Sequence, residues 1–185
     1  MKMRLRALLV TPVLITALAC LFGVIGYGIG SVLGMPVRAD MPLAMRVAGW
    51  AVLLMGFAFL GWIFKYRRPG EVLVSTYLTM MQALTGKPVR ESPERTEGLV
   101  VEGPQRHVRH PMYFAVVVLF VGWWMVLGYT FLLFMAGIYC LWFNLVVIRF
   151  EEIELRHMFG KEYEEYAKAV PRFIPSIRRS WKSGR

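Results

Sequence analysis

The sequence predicts an all-α integral membrane protein with about four transmembrane helices, the last two forming a C-terminal hairpin, and with amphipathic helices on the cytoplasmic side. Three observations predict it. Of 185 residues, 57% are hydrophobic and the mean hydropathy is +0.49, too apolar for a soluble domain of this size. No formal charge occurs between Arg6 and Arg38, from Val47 to Phe64, or from Met112 to Ile148, and about 20 apolar residues suffice to cross a bilayer. The net charge of +10 is gathered at the edges of these stretches: Lys2, Arg4 and Arg6 precede the first, Lys65, Arg67 and Arg68 follow the second, and Arg172, Arg178, Arg179, Lys182 and Arg185 close the chain. Cations flanking spans follow the positive-inside pattern and suit an anionic leaflet, so the charge points to membrane lipid and not to nucleic acid.

The whole chain, 1–185, is expected to be one membrane domain, with two N-terminal spans in 1–68. The first starts behind a basic N-terminus, and its apolar run passes well beyond Ala17-Leu18-Ala19-Cys20, longer than a cleaved signal core, so it is expected to be a retained helix. Gly26, Gly30 and Gly34 recur every fourth residue and predict a smooth strip for close packing against a neighbouring helix. The glycines at 26, 28 and 30 are not a dinucleotide loop, because Ser31 follows and no strand precedes them. A short turn with Pro36, Asp40 and Pro42 leads to the second span, which ends at Lys65-Tyr66-Arg67-Arg68-Pro69-Gly70. Residues 69–110 read as a cytoplasmic loop: Val72 to Leu84 as a helix at the membrane interface, then a charged, Pro-interrupted stretch over 87–98.

The uncharged run beginning at Met112 would make one helix of about 55 Å at 1.5 Å per residue, against a hydrocarbon core of about 30 Å, so it must fold back. Gly128-Tyr129 is the expected break, giving helices Pro111–Leu127 and Tyr129–Ile148, with Trp123, Trp124 and Tyr129 at the far interface. Beyond lies an amphipathic cap in which Leu155, Met158, Phe159, Tyr163 and Tyr166 recur at helical spacing, Gly160 divides two short helices, and Pro171 and Pro175 stop the pattern. A basic tail, 176–185, ends the chain. An even number of spans, basic at both ends and in the long loop, puts both termini and the loop before Pro111 on the cytoplasmic side.

Chemistry is expected where that loop meets the hairpin. Pro111 suits the first position of a helix and pushes His110 to an extended conformation, so His110 stands on the threshold of a helix whose unpaired N–H groups face the polar loop, a place for an anionic group. Glu151 and Glu152 stand at the other end of the hairpin and are expected beside that loop; the plainer alternative pairs Glu152 with Arg156 four residues on. Cys20 and Cys140 both lie in apolar runs, which supports neither a disulfide framework nor a metal site.

Taken in order, Arg109-His110-Pro111-Met112-Tyr113, the apolar hairpin, Glu151-Glu152, and Phe159-Gly160-Lys161-Glu162-Tyr163 through Val170-Pro171-Arg172 resemble the isoprenylcysteine carboxyl methyltransferase and phospholipid methyltransferase superfamily. The resemblance covers roughly Gly98 to Pro175, with Gln105 where an aromatic residue is common and Ala115 where glycine is common. It implies an integral-membrane enzyme that transfers methyl from S-adenosylmethionine without a Rossmann domain. By resemblance, Gly103, Arg109, His110, Pro111, Tyr113, Glu151 and Glu152 bind the cofactor, with the ring face of Tyr113 toward the sulfonium. Arg149 and His110 are the candidate catalytic residues, Arg149 orienting an anionic acceptor and His110 serving as base where one is needed. The implied partner is a lipophilic acceptor within membrane lipid, a carboxylate, amine or thiol; oligomeric state stays open. Two rival readings remain, an NADPH-dependent membrane lipid reductase and a non-catalytic lipid-binding or adaptor module.

Overall fold

A computed structural model describes residues 2–85, 99 and 101–176; the charged stretch 87–98 and the basic tail beyond Ser176 lie outside the described residues. Among these residues the chain is helical: α1 (Lys2–Val32), α2 (Leu43–Tyr66), α3 (Pro69–Thr85), a 3-10 turn (Gly103–Arg106), α4 (Pro111–Leu127), α5 (Thr130–Trp142), a π-helical segment (Phe143–Val147) and α6 (Ile148–Ala169). Three helical stretches, Leu5–Val32, Leu43–Tyr66 and Thr130–Ala169, are long and apolar enough to cross a membrane, and α4 is a shorter apolar helix. The third stretch is apolar only to Ile148. From Arg149 on, α6 is a polar continuation outside the span.

The hairpin of α4 and α5 forms the middle of the bundle. α2 packs along α4 and α1 along α5, so the two N-terminal helices, consecutive in sequence, lean on different members of the hairpin. The α2–α4 seam depends on small residues: a Cβ at Gly49 would lie 2.8 Å from the Cβ of Met125, one at Gly56 2.8 Å from Leu119, and one at Gly122 2.9 Å from Leu53. Apolar helices surrounded by lipid gain little from hydrophobic burial against each other, and close backbone approach is what holds them together. Large apolar side chains of α1 and α2, including Leu9, Val13, Val24, Leu54 and Met55, point outward and are exposed.

The expected glycine strip on α1 is half present. Gly26 and Gly30 face α5, where added Cβ atoms would come 3.0 Å from the Phe131 carbonyl oxygen and 3.4 Å from the Phe134 ring. Gly34 does not belong to it: α1 ends at Val32, and Gly34 turns the chain at φ 67° with no neighbour within 4 Å of a Cβ. The helix expected over Val72 to Leu84 exists as α3, packed on α1 and reaching toward α6, with Val72, Leu78 and Thr79 buried.

The hairpin breaks at Gly128, which takes the left-handed conformation at φ 77° and donates its N–H to Trp124 at 2.8 Å. The α1–α2 turn is clamped onto it. Ala39 donates to the Gly128 carbonyl at 2.9 Å and Thr130 to that of Val37 at 3.1 Å, while Arg38 Nε caps the C-terminus of α4 at the Leu127 carbonyl, 3.0 Å away.

Between α5 and α6 the helix widens into π geometry over Phe143–Val147. A π turn leaves part of the regular ladder unpaired, and within an apolar span such groups need another partner. Asn144 anchors the segment by donating its side-chain amide to the Cys140 carbonyl at 2.8 Å, which also accepts the Phe143 N–H. The extra residue re-aims everything after it, including Glu151 and Glu152. As expected, Gly160 divides the cap, at φ 49° and ψ −122°.

Candidate functional site

The site begins with the threshold residue. Pro111 opens α4, and His110 sits at its cap with φ −120° and ψ 65°. The loop leading to it is strapped down by the segment that follows α6: Arg109 donates its N–H to Pro171 at 2.9 Å, His110 to Arg172 at 3.2 Å, and Ser176 to His107 at 3.0 Å. Arg109, His110 and Arg172 are thereby fixed against one another by backbone bonds alone.

Onto this ribbon α6 projects its two acids. Glu152, with a side chain only 4% exposed, accepts from Arg172 Nε at 3.1 Å and Nη2 at 2.7 Å, and its Oε1 lies 2.6 Å from Arg109 Nη1. It does not pair with Arg156, which is exposed. Glu151 Oε2 accepts the Tyr113 hydroxyl at 3.0 Å and lies 3.2 Å from His110 Nδ1. The other imidazole nitrogen, Nε2, is 3.5 Å from Glu152 Oε1, a distance of charge attraction and not of a directed hydrogen bond. The His110 ring therefore bridges two adjacent carboxylates.

This geometry sets the charges. Burial alone would lower the pKa of His110, but the Glu151 and Glu152 carboxylates outweigh it and the pKa is raised above 6.5. Burial alone would raise both acids; the His110 ring, with Arg67 and the Tyr113 hydroxyl for Glu151 and with Arg172 and Arg109 for Glu152, instead lowers each to about 2. The cluster thus favours the charged forms of the imidazole and of both carboxylates. Carboxylates with lowered pKa stabilise the fold above 4.5 and lose that contribution as pH falls toward 2, whereas a raised His110 contributes fully below 6.5 and loses it as pH rises through its folded-state pKa. Thermal unfolding from pH 3 to 9 is expected to give maximal stability between about 4.5 and 6.5, with the alkaline decline missing in His110→Asn. An alkaline decline of the same size in that variant would show that His110 is not its source.

Of the residues expected at the site, Arg109, His110, Pro111, Tyr113, Glu151 and Glu152 come together. The ring of Tyr113 is not open to a cation as expected: Phe143, from the π segment, stacks on it at 4.6 Å and the His110 ring lies nearly parallel at 5.8 Å, so Tyr113 offers its hydroxyl to Glu151. Gly103, at φ 57°, starts the 3-10 turn with its α-carbon against the Tyr66 ring, where a Cβ would collide. Arg149 is exposed and outside the acid cluster.

Several participants stand in the cap and its motifs without having been expected at the site. Arg172 lies 20 residues from Glu152 and meets it only because the chain doubles back after α6. Tyr163, fully buried, receives a hydrogen bond from Arg109 Nη1 at 3.4 Å, and burial pushes its pKa up to about 12. Tyr166 donates to the Gln105 carbonyl at 2.7 Å and pins the 3-10 turn to α6. Around this frame, Arg67 Nε, Arg109 Nε, His110 Nε2 and Gln105 Oε1 are buried with no hydrogen-bond partner among the described residues. Leaving buried donors and acceptors unpaired is costly, and such atoms collect where a ligand binds.

Comparison with known proteins adds one finding. The model of a family described as phospholipid methyltransferase matches residues 44–162, which run from the start of α2 into the second half of α6. No curated protein and no solved structure matches the chain.

Proposed function

The chain belongs to the phospholipid methyltransferase family, a family of membrane methyltransferases, and from that premise we propose that it transfers methyl from S-adenosylmethionine to a lipophilic acceptor in the bilayer. The observation that carries the reading is the junction itself: the residues around His110 and the paired acids of α6, 38 positions apart from Tyr113 to Glu151, are joined by direct hydrogen bonds at the polar end of an apolar hairpin.

The donor set fits such a cofactor. Unpaired guanidinium and imidazole N–H groups suit its carboxylate, Glu151 and Glu152 suit its ammonium or ribose hydroxyls, and Gln105 Oε1 is a further buried acceptor without a partner among the described residues. Bound there, S-adenosylmethionine supplies an electrophilic methyl group on a sulfonium centre. The chain contributes position and dryness. Arg109 and Arg172 hold Glu152 in one orientation, Tyr113 and His110 hold Glu151, and the strap over residues 107–110 keeps the charged groups from drifting toward water. His110, whose pKa is raised by the two carboxylates beside it, serves first as a donor and a positioning residue. The arrangement accordingly favours an acceptor whose nucleophile needs no proton removed, such as a carboxylate, or one that arrives deprotonated. In this reading both termini and the His110 loop face the cytoplasm, where the cofactor is dissolved, and the acceptor enters sideways between helices.

Purified full-length protein in lipid nanodiscs, titrated with S-adenosylhomocysteine and separately with NADPH, tests the reading. Saturable binding of the first alone, with label from methyl-labelled S-adenosylmethionine passing into a lipid extract, is expected. NADPH binding with no uptake of label would instead favour a reductase, and binding of neither would favour a non-catalytic module.

A further inference from the structure

Arg67 has a place in the site that the family motifs do not give it. It is the residue that ends α2: its N–H bonds to the Ile63 carbonyl at 3.1 Å, and beyond it the chain turns out of the helix. Its neighbour Tyr66 lies against Gly103, so the end of α2 sits against the 3-10 turn that leads to His110. The Arg67 side chain turns inward, with a fully buried Nε that has no hydrogen-bond partner among the described residues. Its charge reaches both Glu151 and Tyr166. Arg68, one residue on, is the opposite: its side chain is 89% exposed and, among the described residues, its ion pair is with Glu71, at 4.0 Å.

Of the four unpaired groups around the acids, Gln105 Oε1 is an acceptor and the other three share a character. Arg67 Nε, Arg109 Nε and His110 Nε2 are all nitrogen donors, and they come from the end of α2 and from the loop before α4. Three arginines and one imidazole surround two carboxylates, and the two arginines that meet Glu152, Arg109 and Arg172, already saturate it. Positive charge is left over, and the groups carrying it are donors without acceptors. A guanidinium fork in that position matches a planar or tetrahedral oxyanion.

We infer that Arg67, with Arg109 and His110, forms an oxyanion subsite that binds a carboxylate or a phosphate. The two sources of such a group rest on the methyl-transfer reading: the amino-acid end of the cofactor, or the acidic head group of the acceptor. Three probes separate them. S-adenosylhomocysteine carries the carboxylate, 5′-methylthioadenosine carries the same nucleoside without the amino-acid end, and glycerol 3-phosphate carries only the phosphate of a lipid head group.

The experiment is calorimetric titration of the full-length wild type, Arg67→Gln and Arg68→Gln with each probe in detergent, after circular dichroism has shown equal helicity. The two variants lose the same charge one residue apart, so non-specific attraction of anions to a basic protein weakens equally in both. Arg67→Gln is expected to bind S-adenosylhomocysteine or glycerol 3-phosphate at least tenfold more weakly, with Arg68→Gln near wild type and 5′-methylthioadenosine unaffected in all three. Loss with the first probe assigns the subsite to the cofactor, and loss with the phosphate assigns it to the acceptor.

Affinities within twofold of wild type for both anions, or equal weakening of 5′-methylthioadenosine, would overturn the proposal. Should Arg67→Gln not fold, Arg67→Lys, which keeps the charge and loses the fork, is expected to show an intermediate loss, and wild-type affinity for every probe in that variant would equally overturn it. Failure of the wild type to bind S-adenosylhomocysteine is the failure of the methyl-transfer reading, and glycerol 3-phosphate then decides the subsite alone. Failure to bind either anion ends both.

Discussion

Glu152→Gln is expected to lose methyl transfer by at least about 100-fold and to lose most of the affinity for S-adenosylhomocysteine, because one carboxylate organises the site. Its two oxygens take Arg109 Nη1 at 2.6 Å and Arg172 at 2.7 and 3.1 Å. An amide of the same shape keeps one acceptor and turns an NH2 group toward a guanidinium, leaving buried positive charge unopposed. Removing one partner of a buried pair typically costs about 3–5 kcal/mol; the Arg109 side, 11% exposed, carries more of that than the Arg172 side, 41% exposed, which water screens. Releasing Arg172 also loosens the strap over His107–His110, so binding is expected to fall further than stability. Glu164→Gln, on the exposed face of α6, is the matched control and is expected to behave as wild type. Turnover of Glu152→Gln near that of the control would mean that the acid pair is structural and that the chemistry lies elsewhere.

How far the sequence disclosed this site depends on the distance over which each feature acts. The break at Gly128, the start of α4 at Pro111 and the division of the cap at Gly160 are local, set by one residue's backbone preference, and all three stand where expected. The meeting of His110 and Tyr113 with Glu151 and Glu152 was legible because a hairpin must return its second helix to the side where the first began. Pairing among the apolar helices was not legible. A helix apolar all round has no face that names its partner, so the seam of Gly49, Gly56 and Gly122 between α2 and α4 emerges only in three dimensions, and Gly34 was mistaken for part of a strip it does not join. The π segment was hidden for a similar reason: Phe143 to Val147 reads as ordinary apolar helix, although its widened turn carries Phe143 onto Tyr113 and sets the register of the acids. Arg67 and Arg172 looked like flanking cations, since the feature that distinguishes them from Arg68 and Arg149 is which way they turn after the chain has folded.

Gly128→Ala is expected to destabilise the protein by about 2–5 kcal/mol, while Gly137→Ala, nine residues later in α5, is expected to leave it unchanged or more stable by up to about 1 kcal/mol. At φ 77°, Gly128 holds a conformation in which an L residue's Cβ crowds its own backbone, a cost of about 1–2 kcal/mol. The added methyl would also strike the Ala39 carbonyl oxygen, a backbone atom that cannot swing aside as a side chain could. Relief requires moving the α1–α2 turn, and with it the bonds from Ala39 to Gly128, from Thr130 to Val37 and from Arg38 to the end of α4. Gly137 has nothing within 4 Å of a new Cβ and lies within regular helix, where alanine is the better residue. Urea or SDS unfolding followed by circular dichroism reads both variants. Because the Gly128 turn fixes how α4 returns as α5, and so where the acids arrive beside His110, folded Gly128→Ala is also expected to bind S-adenosylhomocysteine more weakly. Equal stability of the two variants would show that the clamp at the far end of the hairpin neither sets its geometry nor supports the site.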